Sequence, residues 1–133
     1  MRVSDLLATK GRDVATISQE RSVSDALQVL KERGIGALVV TGMTPPLVGI
    51  FSERDVVRAL ATRGETALQM KVAELMSSDV MTCDEDTTAI QLMGIMTEHH
   101  IRHVPVVHDA TLVGMISIGD VVKARFDLSL IHI

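Results

Sequence analysis

The sequence predicts a mixed α/β (α+β) protein built from two pseudo-symmetric copies of one β-α-β-β-α unit. An eleven-residue stretch at 47–57 recurs at 112–122, in each case running from an apolar strand into a helix start. A shift of 66 residues pairs the segments before this stretch, as Ile35 with Ile101 shows. Each copy also alternates short apolar strands with amphipathic helices. Since neither copy can cover its own sheet and helices, we expect the two to pack as one body.

The first copy follows the order strand, helix, strand, strand, helix. Ser22 suits the start of its first helix, whose apolar residues recur at i, i+3, i+4 and i+7, and Gly34 suits a left-handed end. Pro45 and Pro46 mark the turn between the last two strands. The predicted elements are a strand at 14–17, a helix from 22 to 33, strands at 37–41 and 47–52, and a helix from 53 to about 63.

The second copy repeats this order. We expect a strand at 80–83, a helix from about 88 to 99, strands at 103–107 and 112–117, and a helix from 118. Short helical lead-ins at 3–7 and 72–76 precede the two copies. The predicted domain boundaries are therefore 8–64 for the first repeat and 72–126 for the second.

The last residues depart from this pattern. Residues 128–133, Leu-Ser-Leu-Ile-His-Ile, interrupt the expected amphipathic helix with an apolar, β-like string. The same six residues are one reading frame of the transposon-end adapter used in sequencing libraries. We therefore interpret residues 127–133 as a non-native tail in place of a longer helix, and exclude them from fold reasoning.

Composition excludes several classes of partner. A net charge of −4, no Trp, no Tyr and two Phe leave neither the charge nor the stacking surface for nucleic acid. Hydrophobic residues make up 47% of the chain, yet no apolar run approaches the roughly 20 residues that span a bilayer. The high content of apolar residues therefore indicates a subunit interface rather than a membrane segment. The single cysteine, Cys83, suits a reducing cytoplasm.

The repeated stretch holds Ser three residues before Asp in both copies, as Ser52 with Asp55 and Ser117 with Asp120. The structural interpretation is helix capping, which stabilises a helix by about 1 kcal/mol, and spacing alone favours it. The functional interpretation uses the same geometry. A helix N-terminus attracts phosphate, and a carboxylate can accept the two hydroxyl groups of a ribose.

The pattern Val-Gly-x-x-Ser-x-x-Asp-Val-Val at the end of each unit resembles the cystathionine-β-synthase (CBS) domain. The segment 101–107, Ile-Arg-His-Val-Pro-Val-Val, is typical of the second strand of that domain, and Ser-Glu-Arg-Asp at 52–55 is typical of small stand-alone bacterial members. Two such domains in tandem resemble a Bateman module. The resemblance covers residues 14–124.

This resemblance implies two sites for an adenine nucleotide. In the family the Asp of each junction holds the ribose, and the Ser and the residue before Asp lie near the phosphates. Each site also borrows the first strand and the start of the second strand from the opposite repeat. One site would comprise Ser52, Arg54, Asp55, Val80, Met81, Arg102 and His103. The other would comprise Ser117, Gly119, Asp120, Val14, Ala15, Gly36 and Ala37.

The two implied sites differ in charge. The first contains Arg54, Arg102 and His103, which can meet phosphate oxygens. The second has Gly36 and Ala37 where the first has Arg102 and His103. We therefore expect the Asp55 site to bind more tightly.

The function implied is a regulatory sensor without catalysis, which needs no cofactor and binds AMP, ADP, ATP, NAD or a similar adenosyl ligand. Two alternatives stay open: a scaffold for an unknown protein partner that has lost nucleotide binding, and a nucleotide-hydrolysing enzyme. Hydrolysis needs a positioned base and usually a metal, which the sequence does not supply. A homodimer is expected through apolar helix residues, namely Val56, Val57, Leu60, Val121 and Val122.

Metal and thiol chemistry are not predicted. Four histidines lie close together in the sequence, namely His99, His100, His103 and His108. His99 and His100 are adjacent at a predicted helix end, and His103 and His108 are five residues apart on a predicted strand. Such spacing points the side chains apart, whereas a metal needs three or four converging ligands. Cys83 aligns with Ile17, so a small apolar filler is the expected role. No catalytic residues are assigned.

Overall fold

A computed structural model of the chain describes residues 1–43 and 47–131, with side chains described up to Arg125. The chain divides into two compact units. The first-repeat unit is Ala15–Val80, and the second-repeat unit is Met1–Val14 together with the chain from Met81 onward. Each unit therefore contains one repeat together with the lead-in helix of the other. The repeat boundaries at 8–64 and 72–126 stay a prediction, because they follow sequence similarity rather than contacts.

The first-repeat unit contains a three-stranded sheet in the order β1-β2-β3, with β1 parallel and β3 antiparallel to the central β2. Its elements are β1 (Thr16–Ser18), α2 (Val23–Arg33), β2 (Ala37–Thr41), β3 (Leu47–Ser52), α3 (Glu53–Arg63), a 3₁₀ helix (Gly64–Gln69) and α4 (Val72–Leu75). The label α1 belongs to Val3–Lys10 of the other unit.

Local signals in the sequence explain α2 and the core it covers. The Ser22 hydroxyl accepts the N–H of Asp25 at 3.0 Å, and Gly34 ends the helix at φ 61° in the left-handed region. Both predicted caps are confirmed. The predicted apolar stripe is buried against Leu38, Val40 and Phe51, which lose all exposure. The predicted turn at Pro45 and Pro46 lies outside the described residues.

The second-repeat unit contains α1 and a two-stranded antiparallel sheet. Its other elements are α5 (Ala89–His99), β4 (His103–His108), β5 (Thr111–Ser117) and α6 (Ile118–Ile131). Leu7 of α1, Leu92 of α5 and Ile116 of β5 meet in its core. The lead-in helix is thus part of this core.

The strand predicted at 80–83 is wrong. Only Cys83 pairs there, through one isolated parallel bridge to Val106. In the other unit, the N–H of Val39 donates to the carbonyl of Ala15 at 3.1 Å. The residue 66 positions after Val39 is Pro105, which has no N–H to offer Met81. The parallel ladder therefore lacks one hydrogen bond at the position where the strand would begin.

Two further expectations about the helices differ from the structure. The apolar string from residue 128 does not interrupt α6, which continues to Ile131. Its interpretation as a non-native tail stays a prediction, and residues 132–133 lie outside the described chain. Val56 and Val121, expected at a dimer interface, are 4% and 6% exposed and belong to the cores of their own units.

The glycines of the repeated stretch allow close packing of the lead-in segments. A Cβ added to Gly49 would lie 2.6 Å from the sulfur of Met76 and 2.9 Å from the carbonyl oxygen of Ser77. A Cβ added to Gly114 would lie 2.6 Å from a methyl group of Leu7. At Gly49 a backbone carbonyl therefore requires a residue without a side chain, whereas at Gly114 the Leu7 side chain would have to move.

We predict that Gly49→Ala lowers the free energy of unfolding by about 1–3 kcal/mol, as overpacking of a filled interior does. The Ser77 carbonyl cannot retreat without loss of its 2.9 Å hydrogen bond from the N–H of Ile50. Urea unfolding measures the change. Gly94→Ala in α5 is the control, since its Cβ would meet no atom within 4 Å; it should be neutral or stabilise by up to about 1 kcal/mol. An unchanged urea midpoint for Gly49→Ala would contradict the packing argument.

Candidate functional site

The first strand-to-helix junction joins β3 to α3 at Ser52. Ser52 is the N-cap residue, and Asp55 lies in the first turn of the helix. One carboxylate oxygen, Oδ2 of Asp55, accepts both the N–H of Ser52 at 2.8 Å and its hydroxyl at 3.2 Å. Asp55 therefore caps the helix and fixes the orientation of its own carboxylate.

The second junction joins β5 to α6 at Ser117. The N–H of Ser117 donates to Oδ2 of Asp120 at 2.7 Å, and the N–H of Asp120 donates to the Ser117 hydroxyl at 3.2 Å. The capping interpretation of the Ser-x-x-Asp spacing is thus confirmed at both junctions. Capping does not exhaust either carboxylate, because an ionised carboxylate offers about four acceptor positions.

Each unit places the start of one strand beside its own junction. In the first-repeat unit Ala37 pairs with Ser52, and the N–H of Glu53 donates to the carbonyl of Gly36 at 3.0 Å. In the second-repeat unit the same relations join His103 to Ser117 and the N–H of Ile118 to the carbonyl of Arg102, at 2.9 Å. Among the predicted site residues, these groups are brought together within single units.

The combinations implied by the family resemblance join residues of the two different units, and they stay a prediction. The remaining candidates differ in exposure. Arg54 and Gly119 are exposed, whereas Val14, Ala15, Val80 and Met81 are half-buried. Thus each of these candidates retains some exposure to solvent.

The two aspartates differ electrostatically although their capping is alike. Burial raises the pKa of Asp55 above its ordinary value of 3.8, although the hydrogen bonds from Ser52 and the charge of Arg58 act in the opposite direction. At Asp120 burial also acts to raise the pKa, but a hydrogen bond from Lys10 and the hydrogen bonds with Ser117 outweigh it. The pKa of Asp120 therefore lies below 3.8.

Lys10 is the residue that sequence reasoning missed. It ends α1, and its Nζ donates to Oδ2 of Asp120 and to the carbonyl oxygen of Met115, both at 2.6 Å. The repeat alignment contained a signal for it. The shift of 66 residues pairs Lys10 with Met76, so a charged residue stands at the end of one lead-in where the other has an apolar residue.

Other candidate chemistry receives no geometric support within the described ranges. No three His, Cys, Asp or Glu side chains among residues 1–43 and 47–125 converge to hold a metal ion. Burial, with a smaller contribution from the charge of Asp84, raises the pKa of the Cys83 thiol to about 11. The thiol is therefore protonated at neutral pH and unsuited to nucleophilic attack. In the part of the chain that the structure describes, no helix has the length and apolarity to cross a membrane.

Comparison with known proteins finds the same repeat. A family model described as the CBS domain matches residues 3–62 and again residues 72–127. The CBS-domain containing protein ATU1752 from Agrobacterium tumefaciens, known from a crystal structure, is 47% identical in sequence to this chain. The two structures superimpose with a TM-score of 0.91, and the match covers 94% of this chain and 99% of that chain. The resemblance drawn from the sequence motifs is thereby confirmed.

Two further relatives extend the comparison. A mitochondrial CBS domain-containing protein of Arabidopsis thaliana, CBSX3, is 34% identical over 130 residues, which cover 92% of this chain and 63% of the relative. The CBS domain pair of protein MJ0100 was crystallised with 5′-methylthioadenosine and S-adenosyl-L-methionine. It is 26% identical, with a TM-score of 0.84 over 96% of this chain and 97% of that chain.

The opposite pKa shifts predict opposite effects of neutralising the two aspartates. A carboxyl whose pKa is lowered by folding stabilises the protein above 3.8, and this contribution is lost as the pH falls through the folded-state pKa. Asp120→Asn should therefore destabilise at pH 7, by at most about 1 kcal/mol for a partly exposed pair. That loss should shrink below pH 3.8.

For Asp55 the sign is reversed. Because folding raises its pKa, ionisation of Asp55 costs stability, and this cost grows as the pH rises above 3.8 and is complete above the folded-state pKa. Asp55→Asn keeps an oxygen for the Ser52 N–H and removes that cost, so at pH 7 it should destabilise less than Asp120→Asn, or stabilise. Urea unfolding of both variants between pH 7 and the acid limit of folding measures this. A greater loss from Asp55→Asn at pH 7 would contradict the assignment.

Proposed function

Because the chain belongs to the CBS-domain family, we propose that it is a regulatory module that binds an adenine nucleotide or a similar adenosyl ligand and performs no catalysis. The observation that carries the proposal is the doubled junction, in which an oriented carboxylate lies in the first turn of a helix beside the start of a neighbouring strand. The adenosyl ligands of the related MJ0100 pair support the choice of ligand class.

The chemistry of the junction suits a nucleotide. Asp55 uses one oxygen for Ser52 and retains acceptor positions for the two hydroxyl groups of a ribose. The N-terminus of α3 carries a partial positive charge that favours phosphate oxygens. The exposed guanidinium of Arg54 lies in the same first turn. A ribose and a phosphate can thus be recognised by adjacent residues.

We extend the proposal to the two cross-repeat sites that the family resemblance implies. In the first, Asp55 works with Arg102 and His103 from the other repeat. In the second, Asp120 works with Gly36 and Ala37. The first site has more groups able to contact phosphate, and Arg can form a bidentate contact. It is therefore proposed as the tighter site.

The proposed output is a shift in population. A ligand that contacts both repeats binds more tightly to one arrangement of them, and so favours that arrangement by its difference in affinity. We propose that this regulatory module requires no cofactor and that it acts in the cytoplasm. A regulated protein partner would bind one arrangement of the two repeats and would not contact the ligand itself.

A homodimer is proposed through exposed apolar residues of the helices after the two junctions. Val57 and Leu60 on α3 are 65% and 40% exposed, and Val122 on α6 is 57% exposed. Burial of such side chains contributes roughly 25 cal/mol per Å² of apolar surface. These three residues replace the wider set expected from the sequence.

The scaffold alternative rests on one observation, the capping bonds. Capping alone accounts for Ser and Asp at both junctions, so a protein that has lost nucleotide binding could keep them. A thermal-shift panel of AMP, ADP, ATP, NAD and S-adenosylmethionine separates the two functions. A rise in melting temperature with at least one ligand supports the nucleotide proposal. No shift with any of them supports the scaffold.

We predict that Asp55→Ala weakens AMP or ATP binding by at least about tenfold, because a ribose loses its charged acceptor, and that Asp120→Ala has the smaller effect. Titration calorimetry measures both. Asp5→Ala is the matched control, since Asp5 caps α1 through the N–H of Arg2 at 2.9 Å in the same manner. If Asp55→Ala weakens nucleotide binding no more than Asp5→Ala does, Asp55 acts only as a helix cap. A larger loss from Asp120→Ala reverses the ranking of the sites.

We also predict that Val57→Glu together with Val122→Glu converts the dimer to a monomer, because two charges would be buried at the interface. Light scattering at micromolar concentration measures the mass. Met43→Glu, at a residue that is 97% exposed outside the helices, should leave the mass unchanged. A monomeric unaltered protein would refute the proposed dimer.

A further inference from the structure

We propose that Lys10 determines the specificity of the Asp120 site, where it balances the charge of the ribose acceptor and so discriminates against neutral nucleosides. The inference rests on the proposed function, since it treats Asp120 as the ribose acceptor. It adds a residue from outside the repeated motif and assigns that residue an effect on ligand choice. Lys10 and Asp120 lie in the same compact unit.

The contacts of Lys10 are directed at the acceptor itself. Its Nζ lies 2.6 Å from Oδ2 of Asp120 and 2.6 Å from the carbonyl oxygen of Met115. The same Oδ2 also accepts the N–H of Ser117 at 2.7 Å. Two acceptors hold the ammonium in place. Its charge is balanced against that of the carboxylate, so the other oxygen of Asp120 is a weaker acceptor for a ribose hydroxyl.

The pair is placed where a ligand can reach it. The side chains of Lys10 and Asp120 are 35% and 25% exposed, so the contact is partly shielded from water and still borders solvent. Partial shielding strengthens the attraction between the charges. The pair is therefore formed at the protein surface, where a ligand that binds Asp120 also meets Lys10.

Within the described residues, no lysine contact is found at the Asp55 carboxylate of the first junction. Its Oδ2 accepts two hydrogen bonds from Ser52, and the charge of Arg58 acts on it at longer range. The residue aligned with Lys10 is Met76, whose thioether packs over Gly49 and carries no charge. Two junctions with the same capping thus offer ligands different acceptors. Asp55 is a carboxylate without a lysine partner, and Asp120 is a carboxylate whose charge is balanced by the ammonium of Lys10.

The difference in charge predicts which ligands are affected. A carboxylate whose charge is balanced by an ammonium attracts a neutral hydroxyl group less strongly than a carboxylate without that ammonium, so a neutral ribose gains less from Asp120 than from Asp55. A phosphorylated ligand supplies anionic oxygens that the ammonium, on its flexible stem, can also contact. The Asp120 site should therefore prefer nucleotides to nucleosides, and Lys10 should be the cause.

The test uses the full chain with Asp55→Ala, which the proposed function expects to weaken the first site, so that binding at the Asp120 site is measured against a reduced background. Titration calorimetry with adenosine and with AMP is performed on this background and on Lys10→Met and Lys10→Gln within it. We expect both substitutions to tighten adenosine binding by about five- to tenfold and to narrow the preference for AMP. Lys10→Arg should restore most of the discrimination. Lys123→Met, which removes the same charge from the exposed surface of α6, is the matched control and should leave adenosine binding weak.

The outcomes separate this inference from the proposed function. Both Lys10 variants must unfold cooperatively for the comparison to count. If adenosine binding to them is then unchanged, weaker or absent, the proposed role of Lys10 is wrong. If AMP still binds in that case, the proposed function stands. If neither ligand binds the unaltered protein or any variant, both fail. Two variants of different shape are used because Lys10→Gln can still donate to the Met115 carbonyl if Lys10→Met does not fold.

Discussion

The close approach of each lead-in segment to a glycine in the strand beneath it is the constraint on which the rest of the structure depends. At Gly49 a single Cβ would meet the Met76 sulfur and the Ser77 carbonyl, and at Gly114 it would meet Leu7. At Gly49 the lead-in comes so close because the strand carries no side chain there, and at Gly114 the same lack of a side chain leaves room for Leu7. The contact completes the core of each unit with a helix from the other repeat. It also brings the end of α1 to the carbonyl of Met115, and so to the second junction.

The electrostatic difference between the junctions follows from this packing. Both junctions use the same backbone hydrogen bond from Ser to Asp, at 2.8 Å and 2.7 Å. What differs is that α1 delivers Lys10 to the second junction, whereas Met76, which aligns with Lys10 in the sequence, packs over Gly49. As a result burial prevails at Asp55 and raises its pKa, whereas Lys10 reverses the balance at Asp120. Equal motifs therefore give unequal acceptors.

Local rules predicted most of the fold correctly. The two repeats, the helix caps at Ser22 and Gly34, and the hairpins before each junction follow from neighbours in the sequence, and the CBS-domain resemblance is confirmed. The errors have physical causes. The strand at 80–83 fails because Pro105 lacks an N–H. Val56 and Val121 looked like interface residues because they share an apolar helix with Val57 and Val122, yet they are buried within their units.

The sequence by itself determined the repeat, the family and the spacing that caps both helices, because a Ser-to-Asp contact across three residues is local. It also determined that the candidate acceptors are Asp55 and Asp120. Only the tertiary structure decided that these acceptors differ. The ion pair at Asp120 joins residues 110 positions apart, and it forms because a helix that precedes one repeat packs onto the other. The repeat alignment marks Lys10 as a charged residue at an apolar position but does not identify its partner, because α1 is held in place by the burial of Val3, Leu6 and Leu7.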